Sequence, residues 1–136
     1  MSRENVEIVR QVFEAVERRD SAAALDLYDA DFEWDVSRVP WGDVAGPGIH
    51  RGQDALPRVY REWHSAWANY EEKLEELIDA GESVISVMTG RGRGRASGAE
   101  VEMSTTGVWT VRDGKVVRSV WFPTRAEALE AIGLSD

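Results

Sequence analysis

Cysteine is absent from this chain of 136 residues, which excludes disulfides, thiolate metal sites and a cysteine nucleophile and leaves the fold indifferent to redox compartment. Histidine occurs only as His50 and His64. With no Cys and no carboxylates at ligand spacing around them, they form no recognisable metal site. Cations are in deficit, 16 Lys and Arg against 25 Asp and Glu for a net charge of −9. That field repels nucleic acid and anionic membranes and leaves neutral or cationic small molecules as open partners. No apolar run approaches a signal segment or membrane span, and the first residues, Ser2-Arg3-Glu4-Asn5, are charged, so a cytoplasmic location is expected. A G-x-S-x-G elbow, a P-loop and a dinucleotide fingerprint are all missing, and no cofactor is implied.

What the chain does hold is six Trp, enough large apolar surface to build a core or line a pocket, in a length that suits one domain over residues 1–136. Val9, Val12, Phe13 and Val16 recur at helical spacing and predict a first helix from Ser2 to Arg19, followed by a short second one from Ala22 to Tyr28 capped by Asp20 or Ser21. Phe32, Trp34 and Val36 alternate with Glu33 and Asp35, a strand with one buried face. The Gly- and Pro-rich stretch from Ser37 to Gly52 reads as a long loop able to cover a pocket mouth. A third helix, Asp54 to about Ala68, carries Leu56, Tyr60, Trp63 and Trp67 on one stripe.

Tyr70 to Asp79 suits a helix or a strand and is read as a strand, with Tyr70, Leu74 and Ile78 on one face. Val84–Arg95, Glu100–Arg112 and Lys115–Phe122 read as antiparallel strands, the last two joined by the hairpin signal Asp113-Gly114. Thr124 to Glu127 has capping-box spacing and opens a closing helix that Gly133 stops. Helices followed by antiparallel strands make an α+β domain with helices on one face of a curved sheet.

This order, together with Val12-Phe13-Glu14-Ala15-Val16, His50-Arg51-Gly52, Val108-Trp109-Thr110, Arg112-Asp113-Gly114-Lys115-Val116 and the ending Ala126 to Leu134, resembles the SnoaL-like branch of the nuclear transport factor 2-like superfamily. The resemblance spans nearly the whole chain. It implies a cone-shaped half-barrel: three N-terminal helices packed on a curved, mainly antiparallel sheet around an apolar pocket, a short C-terminal helix, and frequent dimerisation through the sheet. It implies no single activity, since the family includes isomerases, cyclases, dehydratases and silent binding or assembly domains. At the positions compared with those of a steroid isomerase this chain has Val12, Val36 and Gly107, none of which can donate or accept a proton.

Two residues remain as catalytic candidates. Asp35 adjoins the compared base position but turns outward unless a bulge shifts it. His64 lies one helical turn from Tyr60, where its ring can reach a ligand or simply meet solvent or a nearby carbonyl; His50 reads as a turn residue. Trp34, Tyr60, Trp63, His64, Trp67, Met103, Thr105 and Trp109 are the expected ligand-binding set, with ordinary core packing as the alternative for the aromatics. The expected ligand is a small apolar or ring-bearing molecule. Isomerase, cyclase or dehydratase chemistry would require a titratable group facing the pocket, and a non-catalytic binding or dimeric assembly domain would lack one.

The Gly-Arg alternation at 90–95 is read as a register device: a short turn at Ala96–Ala99 pairs Arg95 with Glu100, Arg93 with Glu102, Gly92 with Met103 and Val87 with Val108. Gly90, Gly92 and Gly94 then face inward with Met103, Thr105, Gly107 and Trp109. Val87, Thr89, Thr106, Val108, Val117 and Trp121 face outward as an apolar patch with a charged rim, which predicts a homodimer.

Overall fold

Helix α1, Ser2–Glu17, buries Val9, Val12 and Ala15. It closes with Arg19 N–H donating to Val16 O and Asp20 N–H to Ala15 O, at 3.0 and 2.9 Å, which places Arg19 in the left-handed region at φ 59°. Glycine is the usual occupant of this helix-closing position, and a residue with a side chain costs roughly 1–2 kcal/mol there. Asp20 immediately caps α2, Ser21–Asp26, accepting from Ala23 N–H at 3.1 Å. The computed structural model describes residues 2–39 and 48–133. The remaining elements are β1 (Tyr28–Asp35), β2 (Ile49–Arg51), α3 (Ala55–Ser65), β3 (Trp67–Ala80), β4 (Ser83–Gly94), β5 (Glu100–Arg112), β6 (Lys115–Phe122) and α4 (Arg125–Ala131). No helix among the described residues is long and apolar enough to cross a membrane.

The six strands form one sheet in the order β2-β1-β6-β5-β4-β3. All neighbours are antiparallel except β1 and β6. Four helices on this sheet give the α+β cone expected from the sequence. Glu33 ties three strands together through Arg51 of β2 and Arg118 of β6, at 2.7 and 3.1 Å.

Several boundaries differ from the expected ones, each for a local reason. Tyr28 opens β1 rather than closing a helix, because Val116 N–H donates to Leu27 O at 2.8 Å and Tyr28 pairs with Val116. The segment expected as one loop contains β2, and its residues 40–47, on which the expectation of a lid depends, lie outside the described residues. Helix α3 stops before Trp67 because Arg95 takes its last carbonyls: the guanidinium donates to Ser65 O and Trp67 O at 3.1 and 2.8 Å, and the backbone N–H to Ala66 O at 2.9 Å.

That use of Arg95 also corrects the hairpin. The turn spans Gly94 to Ala99, and the pairs are Arg93 with Glu100, Arg91 with Glu102, Gly90 with Met103 and Val87 with Thr106, two residues from the expected register. A shift of two preserves which side each residue faces. The charges still match, at 3.0 and 2.7 Å, as exposed pairs of small energetic value.

Two irregularities do reverse faces. In β3 the pairing slips between Leu74 and Glu76, so Leu77 pairs with Ser86 while Ile78 joins Ile85 in the outer cluster, away from Tyr70 and Leu74. In β6 the slip between Thr110 and Val111 leaves Val117 unpaired and sets Trp121 opposite Gly107. Trp121 therefore faces inward, its ring 5.6 Å from that of Trp109 and nearly perpendicular to it, and is not part of the outer patch. Of the rest of that patch Val108 is covered: with Ile85, Val120 and Phe122 it packs against Ala128 and Leu129 of α4. Thr124 caps this helix at 3.1 Å, and Arg125 of its first turn pairs with Glu76 of β3.

Candidate functional site

The helices and the inner face of the sheet enclose a chamber of about 70 Å³. Phe13 of α1, Trp34 of β1, Tyr60 and Trp63 of α3, and Met103 and Trp109 of β5 contribute to its wall. An open trough of about 1060 Å³ lies outside it, and Tyr60, His64, Tyr70 and Glu72 line both spaces.

Of the residues expected to bind a ligand, Trp34, Tyr60, Trp63, His64, Met103, Thr105 and Trp109 line the chamber, whereas Trp67 lines the trough. The two remaining candidates are elsewhere. Asp35 is buried rather than turned out to solvent, one carboxylate oxygen accepts from both the N–H and the hydroxyl of Ser37, at 2.9 and 2.5 Å, and it lines neither space. The register shift between Tyr28 and Glu33 of β1 does not bring it to the chamber wall. His50 is a buried residue of β2 paired with Trp34, not a turn residue.

The inward glycines seat aromatic rings. Tyr70 pairs with Gly92 across the strands. A Cβ at Gly92 would meet a Trp67 ring carbon at 2.8 Å and the Asn69 carbonyl oxygen at 2.9 Å, while one at Gly90 would collide with the Tyr70 hydroxyl. At Gly107 it would meet Trp109 Nε1 at 2.9 Å and Ser86 Oγ and Trp121 at 3.0 Å. The room left by these missing side chains is thus filled by the chamber's own wall.

Tyr70 and Glu72 are the polar residues that the sequence reading missed. The signal was the alternation Tyr70, Glu72, Leu74 in β3, which sets Glu72 on the same face as its two inward neighbours. Trp63 donates to the Tyr70 hydroxyl, which donates in turn to Glu72 Oε2 at 3.3 Å. Glu72 is solvent-exposed along the trough, where the concave walls displace part of its hydration. Burial accordingly raises its pKa above the usual carboxylate value, and the Tyr70 hydrogen bond offsets part of the rise.

The neighbouring groups are tuned as well. Burial raises the Tyr60 hydroxyl, the Glu72 charge raises it further, and a hydrogen bond from Tyr28 acts in the opposite sense. The Tyr28 and Tyr60 hydroxyls share a hydrogen bond; with Tyr28 donating, the Tyr60 proton is left for another acceptor. His64, with its ring 6.3 Å from Tyr60 and 6.0 Å from Tyr70, is lowered first by desolvation and then by the Arg19 charge, and so is held neutral at physiological pH.

Among the described residues three buried indole N–H groups, those of Trp34, Trp67 and Trp121, have no hydrogen-bond partner, whereas Trp109 donates to Ser86 Oγ at 2.8 Å. Each orphan donor costs about 1–3 kcal/mol. Among the described residues no three His, Asp or Glu side chains are grouped to hold a metal ion.

The sequence matches the SnoaL-like domain over residues 9–119. Among solved structures, a nuclear transport factor 2-like protein from Burkholderia thailandensis E264 is 29% identical, with a TM-score of 0.77 over 93% of this chain and 95% of that one. TerC, co-crystallised with polyporic acid, is 20% identical, with a TM-score of 0.75 over 95% of this chain and 98% of that one. A candidate polyketide cyclase from Xanthomonas campestris pv. campestris is 19% identical, with a TM-score of 0.66 over 96% and 98%. A search of curated proteins gives no match. The last two likenesses extend to the fold alone.

Proposed function

Since this chain belongs to the SnoaL-like domain family, we propose that its chamber binds a small, apolar, ring-bearing carbonyl compound and that Glu72 moves a proton on it. The observation that carries this reading is a carboxylate of raised pKa at the chamber wall, hydrogen-bonded by Tyr70 and surrounded by aromatic rings. A base poised closer to neutrality than an ordinary carboxylate suits proton abstraction next to a carbonyl.

In this reading the C–H bond beside the ligand carbonyl breaks, its proton passes to Glu72, and its electron pair moves onto the carbonyl oxygen as an enolate. Tyr60, polarised by the Tyr28 hydroxyl, donates a hydrogen bond to that oxygen. Return of the proton to a conjugated carbon isomerises the ligand, and attack of the enolate carbon on a second carbonyl closes a ring, the electron pair of that carbonyl moving to its oxygen, which takes the proton from Glu72. Loss of a β-hydroxyl, which leaves as water with the proton from Glu72, dehydrates it. These outcomes share one first step, so the test addresses that step. 2-Tetralone in D2O, followed by NMR, should exchange its C1 protons faster with the protein than in buffer. Calorimetric binding of the ketone with no faster exchange would refute proton transfer and favour a silent binding domain. That second reading draws on the closeness of the wall: the Trp63 and Trp67 rings are 5.4 Å apart and those of Trp109 and Trp121 5.6 Å, as in ordinary core.

The homodimer is proposed in a reduced form. With Trp121 turned inward and α4 over Val108, the face that remains for a second copy centres on Val87 and Thr89, with Arg91 and Glu102 at its rim. Light scattering at high micromolar concentration should report a dimer that Val87→Glu converts to a folded monomer. A monomeric unmodified protein would remove this interface.

A further inference from the structure

Arg19 and Arg61 both line the trough, and neither has an ion-pair or hydrogen-bond partner for its side chain among the described residues. In this chain of net charge −9, Arg10, Arg51, Arg58, Arg91, Arg93, Arg118 and Arg125 each meet a carboxylate. Arg19 also occupies a left-handed position that favours glycine, at φ 59°.

A third group points the same way. Trp67 lines the trough and is only 8% exposed, yet its indole N–H has no acceptor. All three groups are donors without acceptors, gathered about the end of α3: Arg61 lies one turn before His64, Trp67 follows it by three residues, and the Arg19 charge acts on His64 itself. We propose that the trough mouth is an anion subsite, in which Arg19 and Arg61, beside the orphan Trp67 indole, receive a carboxylate carried by the molecule whose ring enters the chamber.

The charged residues lining the trough balance, Arg19, Arg61, Lys73 and Arg95 against Glu17, Asp20, Glu71 and Glu72, so the subsite rests on which cations lack a partner and not on a net surplus. Asp20 is occupied by the α2 cap and Glu72 accepts from Tyr70, while Lys73 pairs with Glu75 and Arg95 is held by backbone carbonyls, which leaves Arg19 and Arg61, among the described residues of the trough, as the cations free to meet a ligand. Arg95, bonded to the carbonyls of Ser65 and Trp67, adds a fixed positive charge beside the Trp67 indole. A global negative charge slows the arrival of an anion but does not govern a contact at hydrogen-bond distance inside a concave site.

The subsite rests on the reading that a ring occupies the chamber, and two probes of equal shape separate them. Calorimetry with 2-naphthoate and 2-naphthalenemethanol should show the carboxylate binding about tenfold tighter, since a charge-assisted pair replaces neutral hydrogen bonds. The advantage should shrink as sodium chloride rises from about 20 to about 500 mM. Arg19→Gly should reduce it to within about threefold while raising the melting temperature, because glycine relieves the left-handed backbone; Arg61→Gln should reduce it with no such rise. Equal binding of the two probes to the unmodified protein, or an advantage untouched by both variants, would overturn the subsite and leave the chamber reading standing. Failure of both probes to bind at millimolar concentration would overturn the two together.

Discussion

Glu72→Gln is expected to slow deuterium exchange into 2-tetralone by about 10²–10⁴-fold, the usual contribution of a positioned general base, in a protein that remains folded. The amide keeps the shape of the carboxylate and an oxygen that can accept from Tyr70, but it cannot take up the proton. The pH profile adds a signature that a structural role lacks. Because burial raises Glu72, the unmodified rate should climb with pH through a midpoint above the ordinary carboxylate value. Tyr70→Phe removes the hydrogen bond that holds this value down and should move the midpoint higher still.

Stability should run in the opposite direction from activity. A carboxyl with a raised folded-state pKa binds its proton more tightly in the folded chain than in the unfolded one. Stability is therefore lost as pH rises from the unfolded carboxylate value through the folded one. At neutral pH the ionised Glu72 is a burden that glutamine lacks. Thermal melts should show Glu72→Gln more stable than the unmodified protein near pH 7, with the difference fading near pH 4. An unchanged exchange rate in the variant would remove Glu72 from the chemistry.

Gly92→Val is expected to destabilise the fold by roughly 1–3 kcal/mol, read as a lower denaturation midpoint at an unchanged slope. The added Cβ meets the Asn69 carbonyl oxygen at 2.9 Å, and that oxygen belongs to the strand paired with it. Backbone there cannot yield without loosening the β3–β4 ladder. Its other neighbour, Trp67, is wedged against Trp63 and Tyr70 at 5.4 and 5.5 Å, so the strain passes into the wall that holds the Tyr70–Glu72 pair. Equal stability of the variant would mean that the rings do not need the glycine.

Periodicity and turn residues were enough to read the order of the elements, the inward glycines and most of the aromatic wall, because each follows from a repeat of two or 3.6 residues along the chain. The errors arose where one residue interrupts the repeat. The slips near Glu75 and at Val117 reversed Ile78 and Trp121, and no local sequence signal marks either. Arg95 looked like a ladder residue and instead closes α3 from across the fold, a partnership set by tertiary placement. Glu72 was hidden differently. In the run Tyr70-Glu71-Glu72-Lys73 it reads as one more surface charge, and only the strand's alternation sends it inward while Glu71 goes out to Arg91.

The parallel pairing of β1 with β6 has a consequence for the order in which the molecule assembles. The antiparallel run from β3 to β6 is built of neighbours in sequence and can zip from its turns, but β1 must wait for β6 across nearly the whole chain. Contacts of such long separation form late because the loop they close loses its entropy first. Trp34 and the buried Phe32 travel on that waiting strand. The chamber thus acquires its last wall only when β1 docks, and a partly folded chain exposes both rings along an unpaired strand edge. During refolding, fluorescence that reports Trp34 should therefore recover in the slowest phase, and it is at this stage that the chain is most open to aggregation.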